Sequence, residues 1–207
     1  TALLLEKGHQ VRIFDRFCFG DEPIQEFTAN PDFESIRGDI RNLQNFPNLF
    51  DDVDAVVHLA GLANDPSCDL DPEMTMDVNV EASLELINRS VRSGVRRFAF
   101  ASSCSVYGQG VHEFLDEESP TNPVSAYAVS KIDVEKILLG MASDTFEPVA
   151  GRMATLFGWS RRMRFDLAVN QMTATAVTTD KIKVMGGGKQ WRPFVHVKDA
   201  ARAFVLM

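Results

Sequence analysis

Long apolar runs, an even set of cysteines and an excess of positive charge are all missing from this chain of 207 residues. Because no run approaches the roughly 18 apolar residues of a membrane-spanning helix, we expect no membrane partner. Lys and Arg number 21 against 29 acidic residues, and a formal net charge of −8 argues against binding to phosphate backbones. We therefore expect no nucleic-acid partner either.

The three cysteines, Cys18, Cys68 and Cys104, are odd in number and widely spaced. That arrangement predicts neither a disulfide framework nor a metal site, and it fits a reducing compartment. The opening residues lack a basic stretch followed by a cleavage site. A cytoplasmic location is therefore expected.

Short β-branched and aromatic runs alternate with longer amphipathic stretches, a pattern typical of strands joined by crossover helices. It predicts an α/β fold with a doubly wound parallel sheet. Residues 55–60 and 97–102 are nearly all apolar, so we expect these two strands to lie in the centre of the sheet, buried on both faces. The other predicted strands are residues 11–15, 35–39, 149–156 and 193–197, and the predicted helices are residues 1–8, 40–49, 74–93, 126–140, 169–178 and 199–207.

Two aspartates end predicted strands at the sheet edge where ligands bind in such folds. Asp15 can accept hydrogen bonds from both hydroxyls of an adenosine ribose, which favours NAD over NADP, although a turn cap is the alternative and Arg16 leaves room for NADP. Asp39, followed by Ile40, stands where an adenine would lie, with a helix N-cap as its alternative.

The third predicted strand ends in His58, Leu59, Ala60 and Gly61. Small residues at Ala60 and Gly61 would let the backbone approach a bound dinucleotide closely. We expect the His58 imidazole to lie in the core.

Tyr127 and Lys131 stand four residues apart in a predicted helix, so their head groups can converge on one face. An ammonium beside a phenol favours the phenolate and lowers a tyrosine pKa from about 10 toward that of a general base. Earlier in the chain, the fourth strand ends at the ligand-facing edge of the sheet in residues 102–105, Ser-Ser-Cys-Ser, where a hydroxyl can hold a substrate oxygen.

Eight stretches in this order and spacing resemble the extended short-chain dehydrogenase/reductases, specifically the NAD-dependent epimerase/dehydratase family that acts on nucleotide sugars. They are GHQVRIFDR, GDI, VVHLAG, DVNVEASLELI, SSCSVYG, SPTNPVSAYAVSK, RMATLFG and WRPFVHVKDAA. The resemblance implies a Rossmann-like fold, NAD as cofactor, a nucleotide-sugar substrate and a homodimer formed through helices 74–93 and 126–140.

Carried over by position, the resemblance implies a catalytic triad of Ser103, Tyr127 and Lys131. The implied cofactor-binding residues are Asp15, Arg16, Asp39, Ile40, Leu59, Ala60, Gly61, Asn79, Tyr127 and Lys131. Ser103, Asn170 and Arg192 would meet the substrate, the last two at its diphosphate; alternatively, Asn170 is a helix cap and Arg192 a solvated strand residue.

Two departures from the family bear on the reaction. Sugar dehydratases carry an Asp-Glu pair after the catalytic hydroxyl, where this chain has Cys104 and Ser105, so elimination would lack its acid and base. The cysteine of epimerising relatives is shifted by one residue, which turns Cys104 to the other face of a strand. We therefore expect a sugar epimerase acting by transient oxidation, with a ketoreductase or dehydrogenase as the alternative and a non-catalytic scaffold as a weaker one.

By the same resemblance, residues 1–165 form the NAD-binding domain and residues 166–207 begin a substrate-binding lobe. The family's first strand and glycine-rich turn would precede Thr1, and most of the lobe would follow Met207. We expect the isolated chain to bind NAD poorly and to be inactive, and we expect Gly186–Gly188 to form a turn.

Overall fold

The computed structural model describes residues 1–63, 65–109, 114–184, 186–188 and 191–207. Its α-helices are α1 (Ala2–Glu6), α2 (Asp65–Leu70), α3 (Pro72–Met76), α4 (Ala82–Arg92), α5 (Ala126–Gly140), α6 (Ala168–Thr179) and α7 (Val197–Leu206). Its strands are β1 (Val11–Asp15), β2 (Phe33–Arg37), β3 (Ala55–His58), β4 (Arg97–Ser103), β5 (Glu147–Met153), β6 (Thr155–Phe157) and β7 (Phe194–His196). Short 3₁₀ helices cover Glu22–Phe27, Ile40–Asn45, Cys104–Tyr107 and Gly186–Gly188, and Asp77–Glu81 is π-helical.

The described strands form three sheets, in the orders β1-β2, β3-β4-β5 and β6-β7. β3 pairs in parallel with β4, placing Ala55 opposite Arg97 and His58 opposite Phe100. β6 pairs in parallel with β7. Parallel sheets flanked by helices confirm the predicted α/β, Rossmann-like fold class.

The central position predicted for the third strand is wrong, because within the described residues β3 lies at the edge of its sheet and β4 lies in the middle. Val57 is 38% exposed and Leu59 is 62% exposed, whereas Phe98 and Phe100 of β4 are buried. An apolar run shows that a strand can be buried on both faces, but the pairing partners decide whether it is.

Local geometry changes three other predicted elements. The predicted helix at residues 40–49 is a 3₁₀ helix that ends at Asn45, with Asn42 outside helical dihedrals. The predicted strand at residues 149–156 is two strands, β5 and β6, interrupted at Ala154. The helix predicted at residues 74–93 is present as α3, a π-helical turn and α4 in succession.

Inter-residue contacts divide the chain into two compact units, of which the larger comprises Ile13–Arg16, Ser35–Arg152 and Met207. Its core packs β4 against α4 and α5, with Phe98, Ile87 and Leu138 fully buried. Each such side chain contributes about 1.5–3 kcal/mol by leaving water. This packing fixes α5 beside the carboxyl-terminal half of β4, where the predicted triad lies.

The smaller unit comprises Thr1–Arg12, Phe17–Glu34 and Met153–Leu206. In it α7 contacts α1, β6 and β7. Arg161 is paired with Glu26 through two hydrogen bonds of 2.9 and 2.7 Å. Among the residues that the structure describes, no helix combines the length and apolar character needed to cross a bilayer.

Candidate active site

The first two turns of α5 present Tyr127 and Lys131. Ser125 caps the helix by accepting a hydrogen bond from the Ala128 N–H at 3.1 Å, and its own hydroxyl donates to Asp65 Oδ1 at 2.5 Å. A serine N-cap satisfies one of the free N–H groups at a helix start, so the sequence fixes where α5 begins. The helix has the predicted bounds, residues 126–140.

Lys131 is a buried cation, with only 6% of its surface exposed. Its Nζ lies 4.7 Å from the ring centroid of Phe100 and 5.6 Å from that of Tyr127. Aromatic faces attract an ammonium but solvate it less well than water does. Burial therefore lowers the pKa of Lys131 to about 8, while the nearby Cys68 acts in the opposite direction.

Ser103 is the last residue of β4 and the N-cap of the following 3₁₀ helix. Its Oγ accepts hydrogen bonds from the Ser105 N–H at 3.2 Å and from Ser105 Oγ at 2.9 Å. A hydroxyl has two acceptor lone pairs and one proton, so these bonds leave the Ser103 proton available for donation. α5 contacts both β4 and this 3₁₀ helix, which brings Ser103 to the same part of the larger unit as Tyr127 and Lys131.

Asn79 ties the turn after β3 to α5. Its side chain accepts from the Leu62 N–H at 2.7 Å and donates to the Leu62 carbonyl at 3.0 Å and to Ser130 Oγ at 3.2 Å. It lies in the π-helical turn, a distortion that is frequent at functional sites. A Cβ at Gly61 would stand 2.9 Å from Asn79 Oδ1 and 3.9 Å from Lys131 Nζ, so this turn requires glycine.

His58 lies in the core, as predicted. Its Nε2 is 2.8 Å from Ser83 Oγ, and its ring packs against those of Phe98 and Phe100. Burial, assisted by the charge of Lys131, lowers the pKa of His58 to about 3. The imidazole is therefore neutral at physiological pH.

The predicted adenosine-binding residues lie at the ends of β1 and β2. Asp15 is exposed, and its carbonyl accepts from the Gly38 N–H at 2.9 Å. Asp39 caps the next 3₁₀ helix through the Arg41 N–H at 3.0 Å and pairs with the Arg41 side chain at 2.7 Å and with Arg16 at 3.3 Å. The hydrogen bond from Arg41 holds the pKa of Asp39 below its usual range. The cap that sequence left as an alternative for Asp39 is present, and adenine binding stays a prediction.

Three further predicted cofactor residues surround the end of β3. Ile40 is buried in a small apolar cluster to which the half-buried Ala60 belongs. Leu59 is exposed. Apolar surface of this kind next to the Gly61 turn suits one face of a planar ring.

Asn170 and Arg192 belong to the smaller unit, whereas the triad belongs to the larger one. Asn170 is buried in α6, accepts from the Gly158 N–H at 3.2 Å and donates to the Arg164 carbonyl at 3.1 Å. These two hydrogen bonds hold the loop before α6. The N-cap of α6 is Leu167, so Asn170 is not the helix cap. Arg192 is exposed ahead of β7. A substrate contact for either residue stays a prediction.

Sequence reasoning missed two charged residues beside the triad, Glu135 and Arg152, and it placed Ser105 at the ligand-facing end of the fourth strand without its bond to Ser103. Ser105 holds the Ser103 hydroxyl, and Glu135 is a buried carboxylate paired with Arg152 at 2.8 Å. Glu135 could have been singled out, because it continues the spacing of four from Tyr127 and Lys131 among apolar neighbours. Arg152 begins the stretch RMATLFG, but no local pattern indicates its pairing with Glu135.

Cys18, Cys68 and Cys104 are free thiols in the structure. Cys104 is half-buried and packs against a small cluster of Val106, Tyr107 and Ile132. The described part of the chain holds no group of three or more His, Cys, Asp or Glu residues that could bind a metal ion.

Comparison with known families gives a match to the NAD dependent epimerase/dehydratase family over residues 1–207. The chain belongs to this family. A UDP-glucose 4-epimerase of Neisseria meningitidis serogroup C is 28% identical over 98% of this chain and 66% of its own length. A UDP-glucuronic acid decarboxylase 1 of Xenopus tropicalis is 27% identical over the whole chain and 49% of its own length. The family member described here thus spans between half and two-thirds of these relatives.

Among solved structures, MoeE5 in complex with UDP-glucose and NAD superposes with a TM-score of 0.81. It is 28% identical to this chain, and the match covers 99% of this chain and 65% of MoeE5. These matches establish the fold of the chain and its membership of a family of cofactor-dependent enzymes.

Proposed function

We propose that this protein is an NAD-dependent epimerase of a nucleotide sugar, which inverts one carbon by transient oxidation of its hydroxyl. The observation that carries the proposal is the buried Lys131 ammonium 5.6 Å from the Tyr127 ring, on a helix that packs against the strand end bearing Ser103. A cation, a phenol and a hydroxyl donor are the groups that proton transfer at an alcohol requires.

The turn after β3 fits a dinucleotide. Gly61 has a φ of 149° and no room for a Cβ, so backbone rather than side chain lines this turn. Leu59 and Ala60 would flank the nicotinamide end, and Asp15 with Arg16 and Asp39 with Ile40 would meet the adenosine end. The chemistry that NAD would supply when bound is reversible hydride transfer at the sugar carbon; inversion there requires the oxidised sugar to turn over in its pocket between the two transfers.

Tyr127 would act as the base at the sugar hydroxyl. In the phenolate form its oxygen removes the hydroxyl proton, and it later returns the proton to the same oxygen. A phenolate is accessible near neutral pH only if a positive charge stabilises it. Lys131 supplies that charge from a buried position, where the interaction is weakly screened.

Ser103 would donate a hydrogen bond to the same sugar oxygen. Its lone pairs are engaged by Ser105, so its proton is available for donation to the sugar oxygen. Donation strengthens as negative charge develops on the sugar oxygen, which lowers the barrier to proton removal.

The relatives favour nucleotide sugars as the substrate class, since they are named as a UDP-glucose epimerase and a UDP-glucuronic acid decarboxylase. A dehydratase reaction is disfavoured because Cys104 and Ser105 supply no carboxylates after the serine. Asn170 and Arg192 are the residues we assign to the substrate diphosphate, for which a guanidinium offers two donors.

The experiment is a panel of UDP- and dTDP-sugars incubated with the full-length protein and NAD, with products followed by NMR and net reduced cofactor by absorbance. The full-length protein is likewise the parent for the activity and NAD-binding measurements proposed below. Interconversion of two sugars that differ at one carbon, without net reduced cofactor, is the expected result. Net reduction or oxidation of the cofactor would instead identify a dehydrogenase or ketoreductase, and release of CO₂ a decarboxylase.

A further inference from the structure

Behind the proposed triad lies a buried ion pair that the mechanism does not use. Glu135 is 2% exposed and stands four residues beyond Lys131 on α5. Arg152 of β5 approaches it with Nε at 3.1 Å and Nη2 at 2.8 Å from Oε2, and the Ser102 hydroxyl donates to its other oxygen. A buried carboxylate is tolerated only when it is paired in this way.

The guanidinium of Arg152 also contacts residues that lie outside α5 and β5. Its Nη1 donates to Tyr107 Oη at 2.9 Å and to the Glu117 carbonyl at 3.2 Å, and its Cζ lies 5.0 Å from the Tyr107 ring centroid. Tyr107 Oη in turn donates to the Asp116 carbonyl at 2.8 Å. One guanidinium thus joins α5, β5, the 3₁₀ helix after β4 and the loop that leads back to α5.

These contacts hold the chain on both sides of Ser103. Ser102, its neighbour in β4, is held by Glu135, and Tyr107, at the far end of the 3₁₀ helix, is held by Arg152. The segment between them carries Ser103 and its partner Ser105. Glu135 lies on the same helix as Tyr127 and Lys131, and Arg152 of β5 connects it to Tyr107, so the pair couples the serine to the base.

We propose that Glu135 and Arg152 are positioning residues, which hold the Ser103 segment in register with Tyr127 and Lys131 and hold the loop at Asp116 and Glu117 against it. This role rests on the proposed function, because Ser103 and Tyr127 must share one substrate oxygen. A displacement of about 1 Å between such groups can reduce turnover about 100-fold.

The test separates positioning from stability. Glu135→Gln and Arg152→Lys each leave a buried polar group badly paired and should lower the melting temperature. The double variant Glu135→Leu/Arg152→Met replaces the pair by apolar groups of similar size, a change that often restores stability. We expect the double variant to recover its melting temperature but to keep a kcat 10- to 100-fold below that of the parent, with KM and the NAD dissociation constant within about threefold.

The matched control is Arg96→Gln/Glu147→Gln, which removes an exposed pair of 2.7 Å that also joins the regions of β4 and β5. Its kcat should equal that of the parent. Recovery of kcat together with melting temperature in Glu135→Leu/Arg152→Met would overturn the positioning role and leave only a structural one.

Amide hydrogen exchange provides a readout that is independent of turnover. In Glu135→Leu/Arg152→Met, exchange should accelerate in residues 102–107 and 114–119, while α5 and β4 up to Phe100 stay protected. Unchanged exchange in both segments would overturn the positioning role. If exchange accelerates there but the parent protein converts no nucleotide sugar, the pair does hold the Ser103 segment, and it is the proposed function, and with it the catalytic meaning of that positioning, that fails.

Discussion

Lys131 Nζ lies 5.6 Å from the ring centroid of Tyr127, one helical turn away, at a position that is almost closed to solvent. The interaction of a buried cation with a phenol is stronger than the same pair on a surface, because little water screens it. This relationship links the sequence motif to a measurable property of Tyr127.

The first prediction concerns the pKa of that phenol. Tyr107 and Tyr127 are the only tyrosines in the chain, so a Tyr107→Phe background leaves one phenol to titrate. In that background, Lys131→Met should raise the apparent pKa of Tyr127 by about one unit or more, because the stabilising charge is lost. Ultraviolet difference absorbance measures the phenolate, and equal titration curves with and without the lysine would contradict the prediction.

A second prediction concerns Ser105, whose two hydrogen bonds orient Ser103. Ser105→Ala removes the hydroxyl bond of 2.9 Å and allows Ser103 Oγ to turn its proton elsewhere. We expect kcat to fall about 10-fold, since one oriented hydrogen bond at a developing charge is involved. Ser93→Ala, at the exposed end of α4, is the control and should leave kcat unchanged. A Ser105→Ala protein as active as the control would refute this role.

The third prediction compares two glycines with positive φ. Gly61→Ala would place a methyl group 2.9 Å from Asn79 Oδ1, whereas Gly94→Ala, with φ of 80°, meets nothing within 4 Å. Both should lose about 1 kcal/mol or more of stability through backbone strain. Only Gly61→Ala should weaken NAD binding, which calorimetry can measure. Equal NAD affinity in the two variants would exclude the turn after β3 from the cofactor site.

The fourth prediction follows from His58, whose pKa is lowered to about 3 in the folded state. Below the ordinary histidine pKa of about 6.5, His58 is protonated in the unfolded chain but stays neutral in the folded chain. Stability should therefore fall by about 1.4 kcal/mol per pH unit from pH 6.5 toward 3 on account of this residue. His58→Gln, which can still bond to Ser83, should remove that part of the slope in urea titrations; an unchanged slope would argue against a buried neutral imidazole.

Much of the triad was predictable because its signals are local. The spacing of four between Tyr127 and Lys131 is visible in the sequence and predicts that they share one face of a helix, and α5 has the predicted bounds. The end of β4 at Ser103 follows from an apolar run that stops at consecutive serines. These features do not depend on which strands become neighbours.

Features that depend on tertiary pairing were not predictable. The apolar sequence of β3 predicts a central strand. Among the described strands, however, β3 pairs only with β4 and therefore lies at a sheet edge. Arg152 is a charged residue in a strand, and only the proximity of α5 to β5 reveals its partner Glu135. The bracing role of Asn170 likewise arises from a loop whose path no periodicity describes.

The central claim is that the Tyr127 oxygen removes the proton of a sugar hydroxyl, and Tyr127→Phe tests it most directly, because only that oxygen is deleted. With the nucleotide sugar that the parent protein converts best, kcat should fall by about 100- to 10,000-fold. NAD and substrate should still bind within about threefold of the parent, as measured by calorimetry. A Tyr127→Phe protein that binds both and turns over at near the parental rate would contradict the account.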